Sequence, residues 1–231
     1  MLVSFVFFLG NLTTFLAIKK GDVSAVTPLM GTKVVFVAIV MVLITKQTPT
    51  PGLWAAALLT SVGIFLMGFS EFRKKTGTVG LSAILIVLAS ALFFALQDVL
   101  LAHWSPNFGA LTFMTLSMAC LSGWSFLMWL FQGMPSLKMP RASLKFSLVG
   151  GWLIGIQAAL MGLSLGFYND ATKINVIFAT RGLWVLAVVA FLGSFFGNDE
   201  KSTAGKAFRW RVAGGILVTI AVMMVIFEKD A

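Results

Sequence analysis

The sequence predicts an all-α, polytopic membrane protein of about eight transmembrane helices. Three observations carry that expectation. Hydrophobic residues make up 59% of the 231-residue chain and charged ones 11%, more apolar surface than a water-soluble domain of this size can bury. The apolar residues fall into long runs, each long enough to span the hydrocarbon layer as a helix. Those runs are apolar on all sides, whereas barrel strands alternate apolar and polar residues.

Taken in order, the runs are 2–18, 24–45, 53–70, 80–103, 109–131, 146–167, 172–196 and 210–227. The first is the shortest. The second opens with Pro28 in its early turns, where a missing N–H is tolerated best, and holds Lys33 near its middle. The fourth carries Asp98 inside and ends at His103 and Trp104, an interfacial pair. Trp54, Trp129 and Trp210 also fall near predicted ends. The sixth has Gly151 with Gly155 and Gly162 with Gly166, a spacing that lets helices approach closely. The seventh holds Arg181 at its centre.

Loops are too short for a soluble domain, so function is expected within the bilayer. The single Cys120 excludes a disulfide within one chain. Met1 leads directly into apolar sequence, and no removable signal peptide is expected. The net charge of +9 does not point to nucleic acid, because the basic residues flank membrane helices. Twelve of them lie in the loops after the odd-numbered runs, against Lys46, Lys173 and Lys229 on the other side. That bias places the first set in the cytoplasm and both termini outside.

Lys33 and Arg181 are charges where charge is costly, about 2.5–3.5 kcal/mol at the bilayer centre on insertion scales. They are also related. A shift of 148 positions lays 1–45 over 149–193 without a gap, bringing Asp22 onto Asp170, Thr32 onto Thr180, Lys33 onto Arg181 and Phe36 onto Trp184. Corresponding helices are five apart, an odd number, so the two copies have opposite orientations, as in many secondary transporters with a midplane site.

The stretch GDVSAVTPLMGTKVVFVAIVMVLITKQTPTPGLWAAALLTSVGIFLMG, Gly21 to Gly68, resembles the end of an EamA repeat of the drug/metabolite transporter superfamily. NDATKINVIFATRGLWVLAVVAF, Asn169 to Phe191, is similar to the matching part of a second repeat. The resemblance implies two five-helix inverted repeats around a central cavity. Residues 1–70 would be the last three helices of the first repeat, and 78–229 a complete second one. The first two helices of the family pattern are absent, which suggests a truncated gene model, a fragment, or a reduced form that pairs with another subunit. Where the family carries an acidic loop residue, Lys46-Gln47-Thr48-Pro49 stands instead. The family is expected to have cytoplasmic termini, against the charge bias, so orientation stays open. The phosphate-translocator branch of the superfamily places basic residues in the corresponding helices.

The expected function is secondary transport of a small metabolite, anionic in preference to cationic, by alternating access. Lys33 and Arg181 would line the cavity and hold an anionic group, Arg181 with two parallel hydrogen bonds. Thr32 and Thr180 would accompany them, and Phe36 and Trp184, three residues on, would stack on a substrate or shield the cation. Asn175 is a further candidate. Asp98 is a candidate for proton coupling. The competing view makes the cations structural, bonded to carbonyls or paired with Asp98, which cannot neutralise both. Asn11 and Gln157 read as helix–helix hydrogen bonds. No cofactor or metal is implied. The partners are a small-molecule substrate and the lipid bilayer, with a homodimer or partner subunit as further candidates. The location is an integral, multi-pass one, the plasma (inner) membrane if the source is bacterial. Competing functions are a non-transporting or partner-dependent membrane subunit and a membrane-embedded enzyme. One His, one Cys and one buried Asp, distant in sequence, supply no obvious catalytic set.

Overall fold

A computed structural model describes residues 1–20, 23–46, 48–75, 80–134, 140–184, 187 and 204–228. Asp22, Lys138, Lys201 and Lys229, and most of 185–196, lie outside the described residues. Among the described residues there is no strand. Lipid offers the backbone no hydrogen-bond partners, so each apolar run satisfies its own N–H and C=O groups as a helix.

The helices are α1 (Leu2–Lys20), α2 (Val23–Leu29), α3 (Lys33–Thr45), α4 (Pro51–Lys75) and α5 (Leu81–Phe108). They continue with α6 (Ala110–Phe131), α7 (Arg141–Tyr168), α8 (Ala171–Phe178) and α9 (Ala204–Phe227). Among the described residues, seven spans are long and apolar enough to cross a membrane, α2 and α3 counting as one from Val26 to Thr45. They correspond to seven of the eight predicted runs. The run 172–196 is described only through 184 and at 187.

Two predicted boundaries move for identifiable reasons. Helix α5 runs five residues past the expected end, through Pro106. Proline removes the N–H that would bond the Ala102 carbonyl. That carbonyl is taken instead by the Asn169 side-chain amide, at 3.0 Å in the orientation that satisfies both its groups. His103 and Trp104 therefore sit within α5. Helix α7 starts at Arg141, immediately after Pro140, because proline in extended backbone ends the preceding loop.

The most extensive helix contact joins α4 to α9, and the next joins α1 to α5. Glycine makes the first possible: a Cβ on Gly214 would lie 2.4 Å from the Gly63 carbonyl oxygen, so the two backbones touch. In the second pair the Ser90 hydroxyl donates to the Gly10 carbonyl at 2.8 Å and bonds Thr14 Oγ1 at 2.6 Å. Helix α3 lies between these pairs. Its Val37, Val40 and Met41 belong to a core with Val3, Ala95, Leu101 and Leu165, while Val34 and Ala38 belong to another with Ala57, Val176 and Ala221.

The predicted second and seventh runs are not continuous α-helices. In the first, α2 gives way to a 3₁₀ turn at Met30–Thr32 before α3 begins at Lys33. In the second, α8 ends at Phe178, Ala179 and Thr180 form a turn, and helix resumes at 181–184. Under the shift of 148 these breaks coincide.

Candidate functional site

The breaks share one hydrogen bond. Thr32 Oγ1 donates to the Leu29 carbonyl at 2.8 Å, and Thr180 Oγ1 donates to the Ile177 carbonyl at 2.7 Å. Donor and acceptor are both related by 148. Pro28 lies just before the first break, but its counterpart is Val176, so proline is not the common cause. A hydroxyl bonded three residues back competes with regular helical pairing and suits a narrowed turn. At the second break, the backbone N–H groups of Thr180, Gly182 and Leu183 all bond carbonyls three residues back. At the first, Ser61 of α4 donates to the Gly31 carbonyl at 2.9 Å. A Cβ on Gly31 would fall 2.8 Å from Ile64, so only glycine admits α4 this close.

Each cation is the first helical residue after its break, and both line one central cavity of about 220 Å³. Residues of α1, α3 to α8 and the two breaks contribute to its wall. Lys33, Asp98, Asn175, Arg181, Asn11, Gln97 and Gln157 supply its polar groups, set among Met and Phe side chains.

The two cations have different neighbours. Lys33 Nζ lies 2.6 Å from Asp98 Oδ2, and the Asp98 side chain is 3% exposed. The same carboxylate oxygen accepts from Asn175 Nδ2 at 2.8 Å. Asn175 also donates to the Ala171 carbonyl at 2.9 Å, which fixes its amide. Three helices, α3, α5 and α8, thus converge on one carboxylate. Lys33 stands further over the Phe94 ring, 5.9 Å from its centroid. Arg181 packs on the Phe178 ring at 4.7 Å, and among the described residues no carboxylate pairs with it. Its side chain is exposed toward the open cavity. The arrangement holds one neutralised cation and one available cation, which can attract an anionic group.

Of the other sequence candidates, Asn175 and Asp98 reach the cavity wall, while Thr32, Thr180, Phe36 and Trp184 do not line it. The two threonines spend their hydroxyls on the breaks. Phe36 is turned into the core around Val37 and Val3. Trp184 is 70% exposed on the outside. Residues three apart on a helix differ by about 60° in direction, enough to carry each ring off the cavity that its cation lines. Asn11, expected to bond another helix, donates to its own helix at Phe7 (2.9 Å) and faces the cavity. Gln97, unremarked in the sequence, faces it too. Asp170, matched to Asp22, caps α8 by accepting from the Lys173 backbone N–H at 2.9 Å. Among the described residues no three His, Cys, Asp or Glu side chains gather to hold a metal ion.

Long apolar helices packed around a polar cavity define an integral, multi-pass membrane protein. Residues 1–69 match the family model of the EamA-like transporter family. Over that stretch the chain is similar to a family of membrane transporters of the drug/metabolite type. That family comprises transporters rather than enzymes, acting on small molecules within a lipid bilayer. No curated protein and no solved structure matches the chain.

Proposed function

We propose that the chain carries a small anionic metabolite across the membrane by alternating access between two inverted repeats, 1–70 and 78–229, with Arg181 as the anchor for the substrate's charge. The observation that carries this reading is the inequality of the matched cations. Lys33 is neutralised by Asp98, and Arg181 stands in the same cavity without a carboxylate among the described residues. A guanidinium left unpaired at membrane depth is costly unless something else compensates it. A planar fork of donors suits carboxylate or phosphate. The cavity volume fits a small metabolite rather than a drug-sized one. The matched breaks support a rocking of repeats about a shared site, the behaviour of transporters with discontinuous helices.

The test is exchange across a vesicle wall. Proteoliposomes loaded with unlabelled oxalate, inorganic phosphate or a hexose phosphate are expected to take up the labelled form of at least one, and Arg181→Gln to abolish that uptake. Exchange of neutral or cationic metabolites alone would remove the anion from the proposal.

A second reading is favoured by one comparison. Val3, Ser4 and Val6 of α1 are 3%, 1% and 5% exposed. Their counterparts on α7 are Gly151, Trp152 and Ile154, with Trp152 74% and Ile154 66% exposed. Both helices pack against α5 and α6, yet this face is buried on α1 and open on α7 among the described residues. Further helices of a partner subunit would cover it. A larger, defined complex by mass in mild detergent supports this reading, and a monodisperse monomer leaves the face to lipid.

A further inference from the structure

Asp98 does more than the anion reading requires of it. It is almost wholly buried, it is the acidic residue of the cavity, and it masks a cation placed by the same device as Arg181. The charged groups facing it are Lys33 from α3 and Arg181 beyond α8. Asn175 from α8, Asn11 from α1 and Gln157 from α7 are neutral, as is Gln97 beside it on α5. With Asp98 ionised, the cavity carries one net positive charge from Lys33, Asp98 and Arg181. With Asp98 protonated it carries two.

A second cavity lies one helical turn from Asp98 along α5. It is about 230 Å³ in volume and is lined by Val99, Ala102 and His103 of α5, with Thr45 and Asn169. Ala102 is one helical turn from Asp98 on the same face. His103, the titratable group there, is exposed.

We propose that Asp98 takes a proton as co-substrate and that the proton unmasks Lys33. The proton comes from water, by way of the second cavity, and binds a carboxylate oxygen of Asp98. The ion pair to Lys33 is lost, no covalent bond other than the new O–H is formed, and the ammonium turns to the cavity to hold the anion together with Arg181. Two cations at one site match a dianion, such as a dicarboxylate or a phosphate ester. On release of the dianion, Asp98 returns its proton and recaptures Lys33. Anion and proton then travel in the same direction. This rests on the anion reading of the site.

Linkage gives the signs. If protonation strengthens anion binding, anion binding must draw in a proton by the same factor, and affinity must fall as pH rises. The probes are sulfate and oxalate, dianions with no proton to exchange near neutral pH. Calorimetry of the purified protein in two buffers of different ionisation enthalpy counts protons directly. The expected result is uptake of about one proton per dianion bound, with affinity falling about tenfold for each unit that pH rises over the range of that uptake, from mildly acidic to alkaline buffer. Asp98→Asn keeps the shape and a hydrogen bond to Asn175. It is expected to bind with the acid-form affinity at both pH values and to take up no proton. The double variant Lys33→Gln/Asp98→Asn is expected to bind weakly and without pH dependence, through Arg181 alone. Dianion binding with no proton uptake in the unmodified protein overturns the coupling and leaves the anion reading standing. Absence of binding by both dianions at either pH overturns the anion reading and the coupling with it.

Discussion

Thr32-Lys33 and Thr180-Arg181 are matched by the shift of 148 and stand at the same kind of helix break, yet their cations end in different company. Lys33 meets a carboxylate that α5 supplies and α8 steadies through Asn175. Arg181 packs on the face of Phe178 and pairs with no carboxylate among the described residues. The backbone device is common to both, so the asymmetry is made by residues outside it: Asp98 pairs with Lys33, and among the described residues no second acidic side chain lines the cavity. Cations at matched positions are therefore not equivalent. One is held in an ion pair, and the other stands at the cavity without a carboxylate partner among the described residues.

Stability should separate the two sites most sharply. Asp98→Ala strands Lys33 and leaves the Asn175 amide short of an acceptor, an expected loss of about 3–5 kcal/mol in unfolding in detergent. Arg181→Gln removes a charge with no ion-pair partner among the described residues, and the unfolding midpoint should hold or rise. A fall as large as that of Asp98→Ala would mean that Arg181 is structural too. The breaks come next. Thr32→Val and Thr180→Val each delete a hydroxyl bond to the carbonyl three residues back, with about 1 kcal/mol expected from each. Serine at either position should restore it. Unequal losses would show that Pro28 or Ser61 supports the first break independently. The smallest effect belongs to the rings. Phe178→Leu should cost about 0.5–1 kcal/mol by removing the face under Arg181, and Phe94→Leu less, since Lys33 stands farther off.

Much of the fold is legible in the chain because lipid imposes so simple a rule. A run such as Ala110–Phe131 has one way to satisfy its backbone, and hydropathy finds it. The matched charges are legible as well, through the shift of 148. The breaks are not, because Met30–Thr32 and Ala179–Thr180 are as apolar as their surroundings and the disturbance is one hydroxyl bond each. The sign was present as threonine at the matched position before both cations, read as ligand chemistry when the hydroxyls face their own backbone. Phe36 and Trp184 fail to follow the cations into the cavity for a geometric reason. Residues three apart on one helix differ by about 60° in direction, so Phe36 turns to the core and Trp184 to the outside. The choice of Lys33 over Arg181 as the partner of Asp98 was beyond the sequence, since it depends on how α3 and α5 pack.

The inequality of the two cations is tested most directly by comparing Arg181→Gln with the charge-neutral double variant Lys33→Gln/Asp98→Asn. The measurement is thermal stabilisation by sulfate, oxalate and a hexose phosphate at constant ionic strength, since a ligand that binds the folded state raises the unfolding midpoint. The account predicts that the shift disappears in Arg181→Gln and survives, though reduced, in the double variant. A shift that persists without Arg181 and vanishes with the Lys33–Asp98 pair would contradict it and transfer the anchor to the first repeat.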